Sequence, residues 1–233
     1  MTIHYHGTPI TPRRVLLEQM HGKCFCVSFF TPSDVEACHE IGQAVLLDNG
    51  AFSAWRKGIA LTSTWWAKYY AWAERWLAHP TTYAIIPDVI DGDEFDQDAL
   101  LAQWPFHERG WPVWHMHEPI GRLLHLLDTW PRIAIGSSGQ YSRVGDPHWR
   151  RRMDETWNAI ASRHRFTPWV HMLRGMQAVK WAYPFASVDS TDVARNHHLP
   201  RKNARDMAEA WDARQCPAHW EIAALQSELT FPC

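Results

Sequence analysis

Short apolar runs recur along this chain from end to end, each parted from the next by a longer stretch with helical spacing. They cover residues 3–6, 25–30, 44–47, 83–86, 113–116, 133–135, 169–172 and 186–188. Runs of this length, rich in branched and aromatic residues, read as strands. Because they are near-continuously apolar, they predict a parallel sheet covered on both faces. Helical patterns fill the intervals 33–41, 64–79, 96–109, 120–130, 147–164 and 201–214. Thr31-Pro32-Ser33-Asp34 reads as an N-terminal cap for the first of these. In the second, Trp65, Tyr69, Trp72 and Trp76 recur every three or four residues, an aromatic face suited to a core. Eight strands alternating with helices predict an α/β fold, a single (β/α)8 TIM-type barrel over residues 1–233. An open doubly wound sheet competes with it, but such sheets commonly carry a Gly-rich first turn. The chain has neither GxGxxG nor GxxxxGK[ST].

A length of 233 residues suits one barrel. The formal net charge of −2 excludes a global field that would pull the chain onto a polyanion, so any such partner is met by local patches. Two basic groups qualify: Arg150, Arg151 and Arg152, and the set Arg195, Arg201, Lys202 and Arg205. A solvated helix face is the plain reading of either. The 15 Trp suit packing, with flat pockets for bases or sugars as the functional alternative. Five cysteines, an odd number, with no apolar leader, imply reduced thiols and a cytoplasmic protein. No segment approaches the ~20 apolar residues of a membrane span, so no membrane partner is expected.

In a parallel barrel, chemistry gathers where strands end. The third and fourth runs end in Asp48-Asn49-Gly50 and Pro87-Asp88, and the fifth enters His115-Met116-His117-Glu118-Pro119. The last three end in Gly136-Ser137-Ser138-Gly139, Leu173-Arg174-Gly175 and Asp189-Ser190-Thr191. Asp48 and Asp189 could supply a nucleophile and a general acid/base for displacement at a sugar carbon. Asp88 could accept two parallel N–H bonds from a purine edge, and the Gly136-Ser137-Ser138-Gly139 turn admits a flat ligand. His115, His117, His171 and Asp189 form an alternative, metal-dependent hydrolase set, although a satisfied histidine pair explains the first two as well. A loop aspartate capping the next helix is the structural competitor at each acidic position.

These residues resemble a known family. Asp48-Asn49-Gly50-Ala51-Phe52-Ser53 is similar to the Asp-Ser-Gly-Gly-Phe-Gln segment of the tRNA-guanine transglycosylases. Asp189 followed by Arg195-Asn196 resembles their nucleophilic aspartate and the Thr-Arg-Asn stretch after it. Ile86-Pro87-Asp88-Val89, His115-Met116-His117-Glu118-Pro119, Ile135-Gly136-Ser137-Ser138-Gly139 and Ser187-Val188-Asp189-Ser190-Thr191 resemble more closely the phage and bacterial relatives that insert 7-deazaguanine into DNA. The likeness runs over residues 25–205. It implies base exchange without cofactor or metal: Asp189 as nucleophile, Asp48 as general acid/base, and a base pocket of Asp88, Gly136, Ser137, Ser138, His115 and His117. Arg195, Asn196, Arg201 and Lys202 would hold the nucleic acid. The implied partners are DNA (tRNA as the alternative), guanine or a 7-deazaguanine, and accessory modification proteins or a second copy of the chain. For a phage-encoded enzyme the compartment is the host cytoplasm. The tRNA enzymes carry a zinc site of three cysteines and a histidine near the C-terminus. Here only Cys216, His219 and Cys233 stand in that region, so the zinc subdomain is expected to be missing, which favours DNA over tRNA. A non-catalytic nucleobase or nucleic-acid binder on the same scaffold is the third functional class.

Overall fold

A computed structural model of the chain describes residues 1–222. Nine strands form one sheet: β1 (Ile3–Gly7), β2 (Cys24–Ser28), β3 (Ala44–Asp48), β4 (Thr82–Ile85), β5 (Gly110–Trp111), β6 (Val113–His115), β7 (Arg132–Gly136), β8 (Trp169–Met172) and β9 (Ser187–Ser190). Their spatial order is β5-β4-β3-β2-β1-β9-β8-β7-β6, and every pairing is parallel. The two ends of that order, β5 and β6, are separated in sequence by Pro112 alone. One segment therefore stands on both edges, and the sheet is a nearly closed barrel compatible with a TIM-type fold. An open doubly wound sheet, whose edges lie far apart, does not describe it.

The strand expected over residues 113–116 is preceded by a further short strand, and Pro112 separates the two. A proline has no N–H to give to a ladder, so the hydrogen bonds change partner there. Ile86 N donates to Trp111 O at 3.0 Å on one side, and Ala134 N to Pro112 O at 2.8 Å on the other.

The helices are α1 (Arg13–Gln19), α2 (Val35–Ile41), α3 (Ala51–Arg56), α4 (Ser63–Leu77), α5 (Glu94–Leu101), α6 (Ile120–Thr129), α7 (Pro147–Arg163), α8 (Asp192–Asn196) and α9 (Ala204–Asp212). Among the described residues none is long and apolar enough to cross a membrane. Three differences from the sequence reading have local causes. The helix expected over 96–109 ends at Leu101, because Pro105 disfavours helical backbone at Trp104, and Trp104 instead packs where Gly110 lacks a Cβ. The helix expected from Arg201 starts at Ala204, where Asn203 caps it by accepting from Asp206 N at 2.9 Å. Thr31 does not cap α2. Pro32–Asp34 makes a 3₁₀ turn, and Asp34 accepts the backbone N–H of Ile10 at 3.2 Å. By contrast, Asp146 caps α7 from Trp149 N at 2.8 Å, with Pro147 at the first helical position.

Side-chain alternation sorts the strands into layers. Tyr5, Cys26, Leu46, Ile85, Trp111, Val113 and Ala134 point inward and fill the barrel. Their neighbours point outward into two separate cores. One holds Phe25, Val27, Val45, Leu47, Ala84 and Ile86 from the early strands. The other holds Trp114, Ile133, Ile135, Val170, Met172 and Val188 from the late ones. The same alternation brings Ser28, Asp48, His115, Gly136 and Asp189 to the inner face at the C-terminal ends of their strands. Of the fifteen tryptophans, Trp55 alone is more than a third exposed, so the packing reading holds for nearly all.

Candidate active site

Asp48 ends β3 and is followed by a tight turn. Gly50 has φ 80°, a left-handed conformation suited to glycine, and a Cβ there would stand 3.0 Å from Phe30 N. The turn folds Gly50 N back to donate to Asp48 Oδ2 at 3.2 Å. The Asp48 carboxyl is pushed up to about 6, chiefly by burial, which its Ser28 and Gly50 hydrogen bonds oppose and the charges of Asp189 and Asp88 reinforce. Those two carboxylates are thus its electrostatic neighbours. The strand ends bring all three aspartates to one rim.

Asp189, 5% exposed, is held through one oxygen. Its Oδ1 accepts from Arg174 N at 2.6 Å and lies 3.2 Å from His171 Nε2. His171 Nδ1 is 2.8 Å from Ser187 Oγ. A serine hydroxyl donating to Nδ1 leaves the Nε2–H for Asp189, so one tautomer satisfies the whole row. Oδ2 has no hydrogen-bond partner among the described residues. Arg174 has φ 52°, which is rare for a residue with a side chain and costs about 1 kcal/mol or more, and this turn aims its N–H at the carboxylate. Its guanidinium rests on the Phe52 ring, 3.4 Å from the centroid, and senses Asp189, Asp48 and Asp88 together.

Asp88 is bound more tightly than its proposed role assumed. Oδ1 accepts from Asn49 Nδ2 at 2.7 Å, and Asn49 also donates to Ile86 O at 2.8 Å. Oδ2 stands 2.9 Å from His115 Nε2, but off the direction a hydrogen bond requires. Both oxygens therefore already face protein groups. Behind the residue, Gln97 and Arg122 help line a cavity of about 10 Å³, the size of a single water. Glu118 closes the turn after β6, accepting from His115 N at 2.7 Å and lying 3.0 Å from Arg122 Nε.

His117 Nδ1 is 2.7 Å from Ser138 Oγ, and its ring lies 5.8 Å from that of His115. Trp149 Nε1 donates to Ser137 Oγ at 2.9 Å, and Arg174 reaches Ser137 O at 3.4 Å. Gly136 leaves room for His115, since a Cβ there would come within 3.0 Å of Nδ1. Gly136→Ala should push the imidazole off Asp88 and cost about 1–2 kcal/mol, the scale of a tight overpacking. Urea unfolding, together with the histidine signals in NMR, checks both effects. An unchanged His115 environment would mean that the strand yields instead.

Some expected partners are not brought together. Among the described residues no three His, Cys, Asp or Glu side chains converge to hold a metal ion, so His115, His117, His171 and Asp189 do not form the hydrolase set. Arg195 and Asn196 lie in α8 just after β9, with Asn196 turned back onto Asp192 at 2.8 Å. Arg201 and Lys202 lie just before α9. Ala204 N donates to Gln19 Oε1 at 3.0 Å and Arg205 to Glu18 O at 2.9 Å, and those residues close α1 near the start of β2, at the opposite end of the barrel. Arg152 is committed internally, donating to Met116 O at 3.0 Å and Glu118 O at 2.6 Å. Of the tail residues, Cys216 donates its backbone N–H to Thr2 Oγ1 at 2.9 Å, and Cys233 lies outside the described residues.

Arg174, Asn49, Ser28, Phe52 and Trp149 were not singled out as site residues from sequence. Arg174 and Asn49 stand directly beside strand ends, a signal that could have found them. Ser28, Phe52 and Trp149 depend on which strands and helices become neighbours. Compared with models of protein families, with curated proteins and with solved structures, the chain matches none.

Proposed function

We propose that this chain is a base-exchange transglycosylase on a (β/α)8 barrel, with residues 110–115 counted as one strand, and that it replaces guanine in DNA with a 7-deazaguanine. The observation that carries this reading is the pairing of two carboxylates in unlike surroundings. Asp189 is oriented through Oδ1 and keeps Oδ2 unengaged. Asp48 has its carboxyl raised to about 6, where it can both give and take a proton near neutrality.

In this scheme Asp189 Oδ2 attacks C1′ as the C1′–N9 bond breaks, and Asp48 protonates the departing guanine. The incoming base then attacks C1′, the aspartyl ester bond breaks, and the incoming N9 proton passes to Asp48. Two displacements retain the sugar geometry, and the chain's own residues supply every proton. Arg174, beside both acids, offsets their mutual repulsion. Asp88, fixed by Asn49 and His115, reads the base edge through its remaining lone pairs, next to Ser137 and Ser138. The target base has to leave the stack, which costs a few kcal/mol in a duplex and less in a single strand.

The test is to incubate the protein with DNA or tRNA and radiolabelled guanine or 7-deazaguanine. Label should enter DNA. Label in tRNA alone would reassign the polymer. Label in neither would leave a non-catalytic binder as the better reading.

A further inference from the structure

We propose that Trp55, Phe52 and Arg174, flanked by Arg56 and Lys57, form a stacking track that receives unpaired bases of single-stranded DNA and leads them to the carboxylate pair. The inference rests on the base-exchange reading for its destination and on the surface itself for its occupant. Trp55 lies on α3, which begins three residues after Asp48, and is 46% exposed, whereas every other tryptophan is more deeply covered. Its exposed ring is nevertheless held in place. Nε1 donates to the Asp91 carboxylate, and the ring stacks on Phe52 with centroids 5.7 Å apart and planes 29° apart. Phe52 in turn carries the Arg174 guanidinium, whose own backbone N–H binds Asp189. Flat groups thus continue from open surface to the acid that would attack C1′.

The charges beside this track fit a polyanion. Arg56 lies 5.9 Å from the Phe52 centroid and Lys57 4.5 Å from that of Phe30. Neither has a carboxylate partner among the described residues. In a chain of net charge −2, cations gathered on half-buried aromatic rings favour a ligand that offers both phosphates and ring faces. A duplex presents phosphates but hides its base faces; a single strand presents both. Ordinary rim packing would account for Phe52 and Phe30, but not for an indole tied to a carboxylate and a ring while nearly half of the residue stays exposed. The track also supplies cations at the end of α3, the helix that follows the strand ending in Asp48.

The experiment uses the full chain and a fluorescein-labelled oligothymidylate, with anisotropy measured over a range of salt. Trp55→Ala should weaken binding about tenfold, the scale of losing one stacked base, and Trp55→Phe should restore most of it. Arg56→Gln with Lys57→Gln should reduce the salt slope by about 1.4, at roughly 0.7 per phosphate released. Equal affinity in Trp55→Ala and wild type would overturn the track, as would Trp55-dependent self-association in sedimentation without DNA binding. Label exchange in the same preparations separates the two proposals. Exchange with Trp55-independent binding removes the track alone. Trp55-dependent binding without exchange keeps the track and removes the chemistry.

Discussion

Asp189→Asn should abolish transfer of labelled base into DNA while leaving DNA affinity within a few-fold of wild type. The amide keeps the volume of the carboxylate, and its oxygen can still accept from Arg174 N and His171, so the rim should hold its shape. What disappears is the anionic oxygen that has no protein partner. Loss of a nucleophile removes the covalent route itself, an effect of several orders of magnitude rather than a shift in KM. Denaturing gels run with wild-type protein, nucleic acid and a slow incoming base should show a protein–DNA ester that Asp189→Asn lacks. A species that survives in Asp189→Asn but vanishes in Asp48→Asn would exchange the roles of the two acids. Exchange without any trapped species would remove the ester from the scheme.

The second large effect belongs to Asp48 and is set by pH. Its carboxyl is raised from 3.8 to about 6 chiefly by burial, so the fold favours the protonated form. The stabilisation this represents is complete below the unfolded value near 3.8 and is lost as pH rises through about 6. At 1.36 kcal/mol per unit, the loss reaches about 2–3 kcal/mol by neutrality. Asp48→Asn should therefore be more stable than wild type at pH 7–8 and nearly level with it at pH 4, as urea unfolding at the two pH values would show. Wild-type activity should fall over the same range. The first displacement needs Asp48 protonated, so wild-type exchange should fall as pH rises through about 6. Asp48→Asn should lose that limb along with about 10²–10⁴ of the rate. Equal stability of the two proteins at pH 8 would mean that burial does not strain the acid. An intact alkaline limb in the variant would assign it to another group.

Much of the barrel was visible in the chain because burial on both faces leaves a compositional mark. Residues 169–172, apolar but for His171, and 44–47 stand out as apolar runs, and the strands found there match them to within a residue. Helices α1, α3 and α8, of five to seven residues, are too short to set up a periodic pattern, and α3 carries the surface beside Asp48. The aspartates could be located because strand ends can be located. Their partners could not. That Asn49 holds Asp88, or that Arg174 lies on Phe52, depends on contacts between residues tens of positions apart in sequence. Arg201 likewise follows β9 closely in sequence, but the chain runs on from it into α9, whose first residue is bonded to the end of α1.

The two outer cores carry a consequence for how the protein comes into being. Asp48 belongs to the strands backed by the early core and Asp189 to those backed by the late one, and the halves are joined by the β9–β1 pairing, by the shared barrel interior and by Arg174 on Phe52. The mutual repulsion of the two acids, and the proton affinity it helps to raise, exist only where the halves are joined. Under the base-exchange scheme proposed above neither half alone would hold both acids, so exchange should require the whole barrel.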